Sequence, residues 1–172
     1  MSNVKKPYLK SVLLDTSFLI TLLNNARSHH KTATDYFYHW TTNKVRLYAS
    51  TIVIAEYSVK GKLADMVMQH LVVLPFNYDH ALKAGELVAA QTEAKKNKSW
   101  PQAGNERDAV KDDIKLFAQA HLTNSLLLAT ADEGMPQLVD FFRWQGRVKF
   151  EILPLWEPFN HDMATTGVRG LL

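Results

Sequence analysis

Short apolar runs alternate with longer amphipathic stretches along most of this chain. The runs predict β-strands at residues 9–14, 45–49, 71–75, 125–130 and 148–153. Between them, apolar positions recur every three or four residues, a spacing that is typical of helices burying one face. Helices are predicted at 17–25, from Thr32 or Thr34 past Trp40, from Ser50 or Thr51 towards Gly61, at 63–69, from Asn77 or Asp79 to about Lys95, at 109–122 and at 134–143. Strands alternating with helices predict an α/β fold, in which a parallel sheet lies between helices on both faces.

Two segments depart from this alternation. Residues 95–107 combine proline, glycine, tryptophan and several charges, which predicts a loop rather than a linker between domains. Residues 154–172 lack periodicity, and we expect them to form a tail that is loosely attached or depends on a partner. The sequence therefore predicts one domain, 1–172, whose core spans about 9–153.

Composition and charge bound the function without identifying it. The chain has 172 residues, 47% of them hydrophobic, so it can bury a sizeable core. The absence of cysteine excludes disulfides, thiolate zinc sites and cysteine nucleophiles. A formal net charge of +3 permits a polyanionic partner but is low for a protein dedicated to nucleic-acid binding. No stretch approaches the roughly 20 apolar residues that span a bilayer, and no signal peptide is evident, so we expect no membrane association and a cytoplasmic protein.

Four acidic residues are predicted to reach the same edge of the sheet. Asp15 follows the first strand and Asp132 the fourth, Glu56 lies in the helix after the second strand, and Asp113 lies in the helix before the fourth. If the strand order is 3-2-1-4-5, strands one and four are neighbours at the topological switch point, where open α/β sheets bind ligands. We assume this order because it brings the four carboxylates to one crevice.

Asp113 is the most informative of the four acids about the chemistry of this crevice. Its helix is apolar around most of its circumference, so a lone carboxylate there is costly unless a cation or a donor meets it. Mg²⁺ and Mn²⁺ prefer carboxylate oxygens and can activate a water for attack on phosphorus. An acidic crevice also needs such ions before it can bind a phosphate. The seven histidines, by contrast, show no grouping typical of a metal site and are expected to be ordinary surface or core residues.

Each acid also has a purely structural interpretation. Asp15 could cap the first helix, and Glu56 could be an ordinary charge on a helix surface. Asp112 and Asp113 lie near the start of their helix, where negative charge favours the helix dipole. Asp132 could cap the helix that follows it. The case for a site therefore depends on all four acids lying at one edge, and on a hydroxyl from Thr130 that could orient Asp132.

Taken in order, these motifs resemble those of PIN domains, including the toxin ribonucleases of VapBC toxin-antitoxin pairs. The resemblance covers about residues 9–153 and rests on the ordered set, since each motif is short. The matching positions are Leu13 to Ile20, Ser50 with Glu56, Asp113 with Leu116, Ala118 and Ala120, and Leu127 with Thr130 and Asp132.

The resemblance implies a three-layer α/β/α fold and a metal-dependent endoribonuclease that needs Mg²⁺ or Mn²⁺. Asp15, Asp113 and Asp132 would be metal ligands, with Glu56 a further ligand or a group that positions water. Ser17, Thr130 and Asp112 would support the site; the doublet leaves the third acid open between Asp112 and Asp113, although the register of the following apolar residues favours Asp113. An RNA substrate, an antitoxin partner and a homodimer are implied as well.

Two alternatives remain open at this point. The first is a non-catalytic PIN-like module whose second helix serves a protein partner; Tyr36, Phe37 and Trp40 share one face of that helix, which packs in the core or faces a partner. The second is a nuclease that uses the same site on DNA or on structured nucleic acid. The sequence identifies neither the RNA target nor the number of metal ions.

Overall fold

Five parallel strands form one sheet in the computed structural model, which describes residues 8–59, 65–101 and 109–168. The strand order is β3-β2-β1-β4-β5, so the predicted α/β class and the order 3-2-1-4-5 are confirmed. The strands are β1 (Ser11–Leu14), β2 (Arg46–Ser50), β3 (Leu71–Leu74), β4 (Leu127–Thr130) and β5 (Glu151–Pro154).

Eight helices lie in the same described parts of the chain. They are α1 (Thr16–Leu23), α2 (His30–Thr42), α3 (Thr51–Ser58), α4 (Asp65–Met68), α5 (Tyr78–Lys96), α6 (Ala109–Leu122), α7 (Met135–Trp144) and α8 (His161–Thr166). Among the described residues, no helix is both long enough and apolar enough to cross a membrane.

The centre of the sheet determines where the site lies. Every residue of β1 and of β4 is buried, as expected for central parallel strands that are covered on both faces. Leu14 pairs with Ala49 of β2 and with Ala129 of β4. The residues that follow these three positions, among them Asp15 and Thr130, therefore emerge side by side at the carboxyl edge of the sheet.

Helix α2 begins earlier than predicted, and its aromatic face belongs to the core. It starts at His30 rather than at Thr32 or Thr34, and no side chain caps its first turn. Tyr36 is 2% exposed and Trp40 fully buried. The apolar spacing therefore marked a face packed inside this chain, and the interpretation of these rings as a surface for a partner is wrong.

The predicted tail is part of the packed structure as far as the structure describes it. Leu155 and Ala164 are fully buried, and Trp40 Nε1 donates a hydrogen bond of 3.2 Å to the carbonyl of Ala164. The expectation of a loosely attached segment after residue 153 is therefore wrong for residues 154–168. Helix α8 has only six residues, too few to show a periodic pattern.

The segment predicted as a loop is partly helical. Helix α5 is capped by Asn77, one of the two predicted caps, and it continues to Lys96. Lys95 and Lys96 therefore belong to this helix rather than to a loop. Residues 102–108 of the predicted loop, and residues 60–64 near the predicted end of α3, lie outside the described residues.

Candidate active site

Asp15 is buried at the carboxyl end of β1 and accepts hydrogen bonds on both carboxylate oxygens. Oδ1 accepts from the backbone N–H of Phe18 at 2.7 Å and from the hydroxyl of Ser17 at 2.8 Å. Oδ2 accepts from the hydroxyl of Thr130 at 2.6 Å. The bond from Phe18 makes Asp15 the N-cap of α1, so Asp15 has the structural role considered for it and also faces the site.

Ser17 and Thr130 connect the ends of β1 and β4 around this carboxylate. Ser17 Oγ lies 3.2 Å from Thr130 Oγ1 and accepts the backbone N–H of Ala131 at 2.7 Å. Thr130 Oγ1 accepts a hydrogen bond from the backbone N–H of Asp132 at 2.9 Å and donates a hydrogen bond to Asp15. Thr130 therefore orients the carboxylate of Asp15, and it reaches Asp132 through the backbone alone.

Asp113 and Asp112 are adjacent on α6 but have different surroundings. Asp112 forms an ion pair with Lys115 Nζ at 2.6 Å. Asp113 faces the acidic edge, where burial, followed by the charges of neighbouring carboxylates, raises its pKa to about 7. The neighbours that raise it are, in decreasing order, Asp132, Asp15, Glu56 and Asp112. The geometry therefore favours Asp113 over Asp112 as the third acid of the site.

Glu56 and Asp132 complete the acidic edge from the solvent side. Glu56 is exposed on α3, and its carboxylate accepts a hydrogen bond from the hydroxyl of Thr16. Asp132 is exposed after β4, and its Oδ1 accepts the backbone N–H of Gly134 at 2.8 Å. Sequence reasoning did not select Thr16, although its place between Asp15 and Ser17 was an available signal.

Burial also governs the electrostatics of Asp15. It raises the pKa of this carboxyl to about 6, although the hydrogen bonds from Thr130, Phe18 and Ser17 act in the opposite direction. The negative charge of Asp132 adds to the increase. Two carboxyls with raised pKa values at one sheet edge are typical of functional sites, where burial and neighbouring like charges shift pKa values.

The donor chemistry of this edge fits a hard divalent cation. Among the described residues, Asp15, Glu56, Asp113 and Asp132 form no ion pair with a basic side chain, so no lysine or arginine there neutralises them. Carboxylate oxygens are the ligands that Mg²⁺ and Mn²⁺ prefer. In the same residues, no three acidic or histidine side chains are already arranged as a complete metal-binding set. The site thus presents the right donors without a finished coordination geometry.

Two solved structures of similar fold are VapBC structures with bound DNA. The chain matches the VapBC2 complex of Rickettsia felis, bound to a DNA fragment from its promoter, with a TM-score of 0.54 and 19% identity over 84% of this chain and 98% of that chain. It matches DNA-bound VapBC from Salmonella typhimurium with a TM-score of 0.50 and 18% identity over the same shares of the two chains. No family model and no curated protein matches the sequence. This chain accordingly has a PIN-domain fold like that of the VapBC structures.

Proposed function

We propose that this chain is a metal-dependent endoribonuclease and the toxin of a toxin-antitoxin pair. The observation that carries the proposal is the environment of Asp113, whose pKa is raised to about 7 by burial and by four other carboxylates. Holding so many like charges together is unfavourable unless a cation joins them. The acidic edge lies at the switch point between β1 and β4 of a PIN-domain fold, where α/β sheets bind their ligands.

Each acid has a separate part in this proposal. Asp15, Asp113 and Asp132 would hold Mg²⁺ or Mn²⁺, and Glu56 would either join them or position a water. Such an ion, when bound, supplies Lewis acidity and lowers the pKa of water so that it can attack phosphorus. The hydroxyls of Ser17 and Thr130 keep the Asp15 carboxylate in one orientation, which fixes one side of the site before substrate arrives.

The proposal is tested by cleavage of single-stranded RNA with purified protein. We expect cleavage with Mn²⁺ or Mg²⁺ and none with EDTA. Equal activity with metal, with EDTA and in the Asp15→Asn variant would exclude the metal mechanism. A parallel assay on single-stranded and duplex DNA decides between a ribonuclease and a nuclease that acts on DNA.

The aspartate doublet of α6 offers a matched pair of variants. Asp113→Asn should lower the cleavage rate at least about a thousandfold, because losing a metal ligand removes several kcal/mol of transition-state stabilisation. Asp112→Asn removes the same charge one residue away; it breaks the exposed ion pair with Lys115 and relieves only the smallest of the charge effects on Asp113, so its rate should stay within about threefold of wild type. A larger loss in Asp112→Asn than in Asp113→Asn would assign the third acid to Asp112.

The proposed partners follow from the same fold. The two structural neighbours are toxin-antitoxin complexes, and we infer for this chain a small antitoxin that covers the acidic edge, together with a homodimer. Co-expression with the product of the adjacent gene should suppress RNA cleavage and yield a stable complex. Light scattering after size exclusion should give twice the 19.6 kDa mass of the chain. A strictly monomeric mass would exclude the dimer without affecting the proposed chemistry.

A further inference from the structure

Two histidines from different helices meet on the outer face of α2 and α8, away from the acidic edge. His39 lies near the end of α2, and His161 is the first residue of α8. Their rings are nearly perpendicular, at 80°, with centroids 5.2 Å apart. The hydroxyl of Thr165 lies 3.4 Å from His39 Nε2 and 3.5 Å from His161 Nδ1. One nitrogen of each ring therefore faces the hydroxyl oxygen of Thr165.

The backbone around this pair is held independently of the histidines. Helix α8 is attached to α2 by the bond from the Trp40 indole to the carbonyl of Ala164, at 3.2 Å. The backbone N–H of Leu9 donates to the carbonyl of Thr165 at 2.8 Å, and that of Asn160 donates to the hydroxyl of Tyr36 at 3.0 Å. Bringing the two rings together thus adds little conformational cost, because the helices that carry them are already docked.

The facing nitrogens have no strong partner in the described structure. Contacts of 3.4 and 3.5 Å to Thr165 lie at the outer limit of hydrogen bonding, well beyond the usual 2.7–3.2 Å. Within the described residues, neither ring forms a salt bridge with a carboxylate; Asp35, one turn before His39, is paired with Lys31 at 2.6 Å. Burial, and then the positive charge of His161, lower the pKa of His39, which favours the neutral ring that a metal needs.

We propose that His39 and His161 form a binding site for a borderline divalent transition-metal ion, such as Zn²⁺, that joins α2 to α8. Imidazole nitrogen suits Zn²⁺, Ni²⁺ and Cu²⁺, whereas Mg²⁺ prefers oxygen, so this site selects a different ion from the acidic edge. Zinc binds imidazole nitrogen at about 2.0–2.1 Å, so the Thr165 hydroxyl that both nitrogens face has to rotate away and leave its place to the ion. His161 is exposed, so its ring can move to complete the coordination.

Only two protein ligands contribute to the proposed site. Among the described residues, no third histidine or carboxylate completes the group, so water fills the remaining positions of the ion. We therefore expect micromolar affinity rather than the much tighter binding of four-ligand structural zinc sites. Binding would stabilise the docking of the C-terminal segment, because the ion is held only when α8 lies against α2.

The first test is calorimetric titration of the untagged protein with Zn²⁺, in excess Mg²⁺ that occupies the acidic edge. Wild type should bind one Zn²⁺ per chain, and His39→Gln and His161→Gln should each weaken binding at least about tenfold. The controls are His29→Gln, at the start of α2, and His70→Gln, whose exposed ring meets Phe37 edge to face; both should bind Zn²⁺ like wild type. Equal affinity in His39→Gln and wild type would overturn the proposal.

A spectroscopic readout separates ligand loss from a folding defect. Electron paramagnetic resonance of the Cu²⁺-loaded protein should show two coordinating nitrogens in wild type and one in either variant of the pair. Circular dichroism of the metal-free variants confirms that they fold. A single nitrogen in wild type, or two nitrogens that persist in His161→Gln, would place the ion elsewhere and reject this pair as the site.

Discussion

Asp15 and Asp113 lie at the same edge of the sheet, but the protein surrounds their charges in different ways. Asp15 is the more deeply buried, at 4% exposed, and its oxygens accept bonds from two hydroxyls and a backbone N–H. Asp113 is less buried, yet its pKa is raised further, to about 7 against about 6. No hydrogen bond or ion pair to Asp113 occurs within the described residues, and other carboxylates face it instead.

These different surroundings give the two carboxylates different effects on the stability of the fold. The fold offsets part of the cost of burying the charge of Asp15, because the donors that meet it belong to the ends of β1 and β4 and to the first turn of α1. The charge of Asp113 destabilises the fold until a cation arrives, in the way that functional sites commonly lower stability. Removing the Asp15 side chain should therefore destabilise the fold, because its donors lose their acceptor, whereas neutralising Asp113 should stabilise it.

The largest expected effect is the loss of stability in Asp15→Ala. This change removes the cap of α1 and leaves the donors of Phe18 and Thr130 without their acceptor, which should cost about 2–3 kcal/mol in the free energy of unfolding. Asp113→Asn should instead stabilise the metal-free protein by about 1 kcal/mol, because it relieves repulsion and desolvation. Urea unfolding in EDTA measures both. A destabilised Asp113→Asn would mean that an acceptor role for this carboxylate outweighs the repulsion.

A slightly smaller effect is expected at Thr130, whose hydroxyl donates a hydrogen bond to Asp15 and none to Asp113 in the described structure. Thr130→Val keeps the shape of this fully buried side chain but removes the donor to Asp15 and the acceptor for the N–H of Asp132. Unfolding should become easier by about 2 kcal/mol, since buried groups lose their partners. Thr130→Ser, which retains the hydroxyl, should recover most of that loss. An unchanged stability in Thr130→Val would show that these hydrogen bonds contribute little, and a loss confined to Thr130→Ser would assign the stabilisation to packing of the methyl group.

The pH dependence of stability should be of the order of 1–2 kcal/mol, after discounting the raised pKa values for solvent screening. Both carboxyls have folded pKa values above the ordinary 3.8, so the folded state holds protons that the unfolded state has released. Their contribution to stability is present below about pH 4 and is lost as the pH rises through about 6 and 7. Metal-free wild type should therefore be less stable at about pH 8 than at about pH 5 relative to Asp113→Asn. Parallel pH profiles of the two proteins would contradict this prediction.

The sequence predicts the strand order because hydrophobic runs mark each strand and because placing the acids together requires β1 beside β4. Spacing favoured Asp113 over Asp112 but could not decide between them, since the distinction depends on the Lys115 ion pair, which forms only once α6 is folded. The packed C-terminal segment was also beyond prediction. Its attachment depends on contacts such as that between Trp40 and Ala164, residues that are 124 positions apart, and short α8 carries no periodic signal.

The smallest effect is expected at Thr16, whose hydroxyl bonds to the exposed carboxylate of Glu56. Thr16→Val should change stability by no more than about 0.5 kcal/mol, because the lost bond is at the surface. Cleavage should slow by about three- to tenfold, since Glu56 then samples more orientations. If Thr16 acts through Glu56 alone, adding Thr16→Val to Glu56→Gln should cause no further loss, because the two residues work as one unit. Additive losses in the double variant would show that Thr16 contacts the substrate or the metal independently of Glu56.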